Sequence, residues 1–400
     1  MDATLARRRN LLLVLYLIQG VVATTWVVRT PGVRDMLQAS TTEMGLILAG
    51  MSLGAMAGIL VSARLVRLLS TRSVIILSCA MLIIGIYIAA IAVGLASATW
   101  VFAGLFCIGA SFGVGEVPLS LEGADVERRM GRSLMPVLHG FFSLGTLLGA
   151  LLGMLLTWLE FPVVWHFMLA GAIAIVPVTW ACQNLVPGLG ETSHPGPAQP
   201  KGAVKSMLAF WRDPKLMMIG LIVMTMALAE GSAMDWLPLL MVDGHGFNSA
   251  NSSLIFVGFS ASMTVGRLCS TWFLQRIGRV AGMRMSALCA MFGLSLVIFA
   301  DQTWLLALAV PFWGIGACLG FPLGISSAAN GDPHNGGRRV AAVVTLGYLA
   351  FLAGPPILGF LGDHFGLRSA MMLVLLLTTG VLFLASAVAP VPHTEAENGQ

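Results

Sequence analysis

Three ionisable side chains of complementary type lie in strongly apolar parts of the sequence: Glu116, His139 and Arg267. If helices end near residues 122 and 273 and another begins near 133, each of the three lies roughly 9 Å inside the same end of its helix. A carboxylate beside a cation and an imidazole can bind and release a proton. The alternatives are a structural ion pair that never titrates and, for His139, a histidine that only packs.

A second set of residues, nearer the other end of the predicted helices, consists of Arg29, Glu230 and Asp235, with Trp26 and Trp236 beside them at an offset of 210 residues. The segment AEGSAMDWLP carries both carboxylates, and its glycine and proline are expected to weaken the helix there. One hypothesis is that Arg29 binds substrate or pairs with Glu230 or Asp235 in a gate. The other is that Arg29 and Asp235 lie at the water interface, beside tryptophans in a headgroup belt.

The composition indicates which solvent surrounds these residues. Of 400 residues, 57% are hydrophobic and 10% charged, with a mean hydropathy of +0.89. Soluble domains carry roughly 25% charged residues, so this chain is predicted to be an integral membrane protein. The apolar runs are too long for barrel strands, and the spans are therefore predicted to be helices. The first run follows a basic start and is long enough to span, so we interpret it as an uncleaved helix rather than a signal peptide.

Twelve apolar runs predict twelve spans, six on each side of the Pro- and Gly-rich segment GLGETSHPGPAQPKGAVK. The runs are 10–36, 43–66, 73–95, 99–122, 133–158, 162–186, 214–242, 249–273, 280–300, 303–326, 337–361 and 367–389. We predict a six-helix bundle over 1–187, a cytoplasmic linker over 188–212, and a second bundle with a short tail over 213–400. Eighteen of the 22 basic residues fall on one side of this topology, which predicts that both termini are cytoplasmic.

The two halves repeat each other. GMSLGAMAG (50–58) matches GFSASMTVG (258–266) at an offset of 208, and IGASFG (108–113) matches IGACLG (315–320) at 207. These offsets predict a duplicated six-helix unit. Parallel halves of this kind are typical of major facilitator transporters.

Two further motifs carry a resemblance to that superfamily over essentially the whole chain. The loop signature between its second and third helices survives in part as Arg276, Gly278 and Arg279, and in a more degraded copy as Arg67 and Arg72. GASFGVGEVPLSLEG and HGFFSLGTLLG resemble the fourth and fifth helices of the fucose-permease group, and the chain is also similar to the YbjJ-type inner-membrane permeases.

The resemblance implies an all-α fold of twelve transmembrane helices in two pseudo-symmetric bundles, with the fourth and tenth helices lining a cavity. It also implies that Glu116 takes part in proton coupling. The group's acidic residue in the first helix is replaced here by Trp26 and the valine after it, which argues against fucose itself as the substrate. Tyr348 and Asn330 are candidates for hydrogen bonds to substrate.

The sequence contains no phosphate-binding loop, metal-ligand spacing, disulfide framework or nucleic-acid-binding pattern. We therefore expect no cofactor and no enzyme activity. The expected function is gradient-driven, proton-coupled uptake of a small polar, sugar-like solute by a monomer in a bacterial inner membrane. The expected partners are the solute, protons and the lipid bilayer. The alternatives are a drug or metabolite exporter of the same fold, and a membrane sensor that does not transport.

Overall fold

The computed structural model describes residues 3–131, 134–185, 213–329 and 336–389, and almost all of these lie in helices. The α-helices, in chain order, are α1 (Ala3–Val27), α2 (Thr30–Leu37), α3 (Thr41–Leu69), α4 (Thr71–Gly94), α5 (Ala98–Met130), α6 (Met135–Trp158), α7 (Val163–Asn184), α8 (Pro214–Leu239), α9 (Ser249–Ile277), α10 (Arg279–Phe299), α11 (Thr303–Ala317), α12 (Gly320–Ala329), α13 (Gly336–Phe365) and α14 (Leu367–Leu384). Within the described residues, twelve helical segments are long and apolar enough to cross a membrane. The prediction of twelve helical spans is confirmed. The predicted linker, 188–212, lies outside the described residues.

Two predicted spans are interrupted. The first does not run unbroken over 10–36: α1 ends at Val27, and α2 starts after Arg29 with Pro31 in its first turn. Proline lacks the N–H that a helix interior needs, but it is well suited to a helix start. The tenth span, predicted over 303–326, is divided at Cys318 into α11 and α12.

Equivalent helices pack in the same way in the two halves. In the first half α5 packs against α3 and α4, α1 against α6, and α7 against α1 and α4. In the second half the corresponding contacts are α11 with α9 and α10, α8 with α13, and α14 with α8 and α10. The halves meet along two further equivalent pairs, α3 with α13 and α6 with α9. The duplication inferred from the sequence is therefore present in the packing.

The halves are joined firmly at one end. We call the end that carries Arg8, Arg64 and Arg276 the basic face, and the other end the opposite face. At the opposite face Arg34 forms an ion pair with Asp243 across the halves. Further cross-half hydrogen bonds run from Thr42 to Asp363 (3.0 Å) and from Ser253 Oγ to the carbonyl oxygen of Val28 (3.3 Å). A Cβ placed on Gly45 of α3 would lie 2.6 Å from the carbonyl oxygen of Pro355 on α13. The opposite face is therefore closed.

The joint between α3 and α4 and the joint between α9 and α10 share a backbone conformation that favours glycine. Ser70 has φ 84° and ψ 154°, and Gly278, which lies 208 residues later, has φ 80° and ψ 167°. A non-glycine residue in this region costs on the order of 1–3 kcal/mol. Ser70 also accepts a capping bond from Ser73 N–H, but at such a position glycine is only a few tenths of a kcal/mol worse than serine.

We therefore expect Ser70→Gly to stabilise the protein by roughly 1 kcal/mol. The measurement is the thermal unfolding temperature of the purified protein, which should rise. Gly278→Ser is the mirror control and should lower it. If Ser70→Gly lowered the unfolding temperature, the strain assigned to this joint would be wrong.

Candidate functional site

The glycines before Glu116 set the direction in which its side chain points. A Cβ on Gly109 or Gly113 would overlap backbone oxygens of α3, and one on Gly115 would lie 2.5 Å from Ser78 Oγ on α4. These faces of α5 are therefore packed against α3 and α4, with no room for a side chain. Glu116, the next residue, is left on the remaining side of the helix and is exposed.

Glu116 points to the junction of the two halves. It lies beside the Ser120 hydroxyl and within electrostatic range of His139 on α6. Tyr16 of α1 and Tyr348 of α13 are also within electrostatic range of its carboxylate. Three of these neighbours belong to the first half and Tyr348 to the second. Side chains of both halves therefore surround the Glu116 carboxylate, and we call the space between the halves at this junction the cleft.

The first turn of α6 places His139 at this cleft. Glu127, near the end of α5, accepts hydrogen bonds from the backbone N–H groups of Leu134 (2.6 Å) and Met135 (2.8 Å). These are donors that a helix start leaves unpaired. His139 lies one turn further along and is exposed, with its ring centroid 5.5 Å from that of Tyr16. The predicted proximity of Glu116 and His139 is therefore present in the structure.

Arg267 does not join this group, contrary to the prediction. Its Nη2 atom lies 2.6 Å from Glu230 Oε1, which pairs α9 with α8 inside the second half. The pair is partly exposed, at 30% for the Arg267 side chain and 15% for that of Glu230. The indole N–H of Trp313 donates to the carbonyl oxygen of Ala229 and fixes α8 one residue before Glu230. Equal depth along the helices did not bring Arg267 to Glu116, because the helices present the two side chains to different neighbours.

The helix carrying Glu230 and Asp235 is regular where weakening was expected. α8 continues through Gly231 and Pro238, and only Leu240–Gly244 form a wider π-helical turn. Asp235 is half-buried and, among the described residues, has no hydrogen-bond or ion-pair partner. Asp235 therefore differs from Glu230, which is paired with Arg267.

Arg29 pairs neither with Glu230 nor with Asp235. Its Nε atom donates to His166 Nδ1 on α7 at 2.8 Å, and its Nη2 atom has no partner in the described part of the chain. Arg29 is 6% exposed and His166 0%. A position at the water interface is therefore also wrong for Arg29. Sequence reasoning missed His166, whose only signal was a histidine in an apolar run.

The two tryptophans are core residues. Trp26 is 4% exposed and Trp236 0%, so neither lies in a headgroup belt. Their indole N–H groups have no partner among the described residues. Trp26 packs on Phe167 of α7, with ring centroids 5.9 Å apart. The Trp26 indole N–H and the Arg29 Nη2 group are therefore unpaired donors, among the described residues, just inside the closed opposite face.

A buried charge cluster that the sequence did not predict lies at the basic face. Arg8 of α1 donates from Nε to Glu122 Oε1 and from Nη2 to Asp125 Oδ2, both at 2.8 Å. All three residues are less than 9% exposed. The sequence predicts that the fourth span ends at residue 122, but α5 continues to Met130 and buries these carboxylates against α1. The cluster links α1 to α5.

The loop-signature residues remain within their own halves. Arg276 lies over the Trp272 ring at 4.5 Å, and Arg279 donates to Ser326 Oγ at 3.1 Å. Arg67 is exposed at the end of α3, and Arg72 lies in the first turn of α4. That these residues form the superfamily's loop signature stays a prediction. Asn330 lies outside the described residues.

The described residues include no group of three or more His, Cys, Asp or Glu side chains placed to hold a metal ion. Ionisable side chains occur in two partly exposed groups, one around Glu116 in the first half and one around Glu230 and Arg267 in the second.

Known proteins with similar sequences include transporters. An uncharacterized MFS-type transporter of Yersinia pestis is 28% identical over 375 residues, covering 93% of this chain and 94% of that protein. A purine ribonucleoside efflux pump, NepI, of Salmonella paratyphi A is 26% identical over 309 residues, covering 74% of this chain and 73% of the pump.

Solved structures share the fold at low sequence identity. The D-xylose-proton symporter superimposes with a TM-score of 0.74 at 13% identity, covering 97% of this chain and 98% of that one. The nucleoside transporter NupG superimposes with a TM-score of 0.73 at 15% identity, covering 97% of this chain and 98% of that one. The E. coli fucose:proton symporter FucP superimposes with a TM-score of 0.63 at 17% identity, covering 96% of this chain and 98% of that one. The sequence profile of the Major Facilitator Superfamily matches residues 11–355. This chain belongs to that superfamily and is a membrane transporter, not an enzyme.

Proposed function

We propose that this transporter couples proton entry to the uptake of a small polar solute, and that Glu116 carries the proton. The position of Glu116 supports this most directly. It is an exposed carboxylate inside an apolar bundle, next to His139 of its own half and Tyr348 of the other. Ionisable groups inside membrane spans usually mark a solute or ion path.

The distribution of basic residues supports a cytoplasmic location for the basic face. With that orientation, both termini and the linker 188–212 are cytoplasmic and the closed opposite face is periplasmic, in what we propose to be the inward-open state of a protein in a bacterial inner membrane. Opening the other way would break the Arg34–Asp243 pair and the Thr42–Asp363 bond, and would expose Arg29 as a gate or solute-binding residue. One copy contains both halves and the cleft, and we propose that it works as a monomer.

The cost of burying a charge would provide the coupling. In the inward-open state Glu116 is in contact with water and can release its proton. When the halves close at the basic face, Tyr348 and its helix would cover the carboxylate. An ionised carboxylate is far more costly to bury than a neutral one. A bound solute displaces water from the carboxylate, so closure of the loaded protein would require protonated Glu116. The empty protein would return with Glu116 ionised and hydrated, so each cycle would carry one proton inward with the solute.

The solute would bind between Glu116 and the second half. The Arg267–Glu230 pair offers donors and acceptors to a hydroxyl-rich ligand, and Asp235 offers a further acceptor. The names of the solved neighbours include a fucose:proton symporter, a D-xylose-proton symporter and a nucleoside transporter. We therefore propose a sugar or nucleoside as the solute class.

Export is the second candidate, because one relative is a purine ribonucleoside efflux pump. The test is uptake of labelled sugars and nucleosides into proteoliposomes under an imposed pH gradient, with pH followed by a trapped dye. Solute and protons moving together would support the proposal, whereas movement in opposite directions would support export. Solute binding without flux would contradict both and indicate a sensor.

A further inference from the structure

A groove of about 500 Å³ lies on the outer surface of the first half, between α4 and α7. It is separate from the cleft that contains Glu116. Its middle is lined by apolar side chains, of which Ile76, Ile84 and Ile175 are 37%, 53% and 41% exposed. Because α4 and α7 are membrane-spanning helices, this exposed apolar surface faces the lipid acyl chains.

One end of the groove is polar and lies at the basic face. Arg72, in the first turn of α4, and Gln183, in the last turn of α7, line it there. The Nε atom of Arg72 is buried and has no hydrogen-bond partner within the described residues. No carboxylate is among the groove's lining residues. The groove therefore has an unpaired positive charge at the membrane surface and apolar walls below it.

The length of the groove fits one lipid leaflet. From Arg72 to Ile84 along α4 is roughly 18 Å at the rise of an α-helix. Half of a hydrocarbon core about 30 Å thick is roughly 15 Å. A phosphate beside Arg72 would thus direct an acyl chain along Ile76 toward Ile84. Basic pockets between membrane helices commonly bind anionic headgroups.

We propose that this groove binds an anionic phospholipid from the leaflet at the basic face, with its phosphate on Arg72 and one acyl chain between α4 and α7. The phosphate would bind the accessible part of the Arg72 guanidinium, whose charge no carboxylate among the groove's lining residues balances. The lipid also fills the surface between two helices that form one side of the first half. A free phosphate would satisfy Arg72 but would leave the apolar length of the groove empty.

The test compares phosphatidylglycerol with phosphatidylcholine carrying the same acyl chains, added to the protein purified in detergent. Phosphatidylglycerol is expected to raise the unfolding temperature of the wild-type protein by several degrees more than phosphatidylcholine. Arg72→Gln should lose that difference. Arg67→Gln removes the same charge from an exposed position five residues away and should keep it. For each protein the unfolding temperature with phosphatidylglycerol is compared with its own value with phosphatidylcholine. A general loss of stability lowers both temperatures and does not change their difference.

A second variant tests the apolar walls. Ile83→Trp keeps Arg72 but fills the groove, and native mass spectrometry should show fewer bound phosphatidylglycerol molecules than in the wild type. The proposal is overturned if Arg72→Gln keeps the lipid difference, if inorganic phosphate alone reproduces it, or if Ile83→Trp binds as much lipid as the wild type.

Discussion

Glu116→Gln is expected to abolish proton-driven accumulation of solute while preserving exchange of solute across the membrane. Glutamine keeps the shape and hydrogen bonding of a protonated carboxyl group but cannot release a proton. The variant can therefore close and reopen with solute bound, but it carries no proton. With one proton per solute, a gradient of one pH unit, about 1.4 kcal/mol, drives roughly ten-fold accumulation by the wild-type protein. The variant should reach only the external concentration.

Proteoliposomes under an imposed pH gradient provide the measurement, and counterflow with preloaded unlabelled solute tests exchange. Glu160→Gln is the matched control, because Glu160 is an exposed carboxylate just after α6. It should accumulate solute like the wild type. If Glu116→Gln accumulated solute with an unchanged dependence on pH, Glu116 would not be the proton carrier.

Arg8→Gln is expected to destabilise the protein by roughly 3–5 kcal/mol. Arg8 is the shared partner of two buried carboxylates, Glu122 and Asp125. Removing it leaves Glu122 without its ion-pair partner in a site that is 6% exposed. Glutamine can hydrogen-bond but supplies no charge. Arg128 and Arg129 also contact Asp125, yet both are more than half exposed and do not replace the buried guanidinium.

The measurement is unfolding of the purified protein by heat and by denaturant. Arg7→Gln is the matched control, since it removes the same charge from an exposed position next to Arg8. Its effect should stay within about 0.5 kcal/mol, as is usual for surface changes. If Arg8→Gln and Arg7→Gln had equal free energies of unfolding, the buried ion pairs would contribute no net stabilisation, contrary to this prediction.

The sequence predicts the parts of this molecule that depend on apolar length and on repetition. Twelve runs and two consistent offsets are enough for twelve helices in two equivalent halves. The proximity of Glu116 and His139 was also predictable, because α5 and α6 are consecutive helices separated by only four residues in the sequence. The glycines that direct Glu116 were visible in the sequence as well, although the helices they contact were not.

The sequence does not give the direction in which each side chain leaves its helix. A helix turns by about 100° per residue, so depth along the axis leaves the facing direction open. Arg267 was therefore matched with the wrong carboxylate, and Arg29 with carboxylates instead of His166. The Arg8 cluster was missed for another reason. Charges after residue 122 resemble a loop until helix α5 is known to continue to Met130.

The most direct test of the account is the accessibility of position 116 to water. Glu116→Cys and Val176→Cys proteins would be treated from the basic face with a charged, membrane-impermeant maleimide, and labelled peptides identified by mass spectrometry. Val176 is 72% exposed on the outer surface of α7 and is the control for a lipid-facing site. We predict labelling of the thiol introduced at position 116 and none at position 176. Labelling of position 116 only by a lipid-soluble maleimide would place Glu116 against lipid and contradict the proposed proton path.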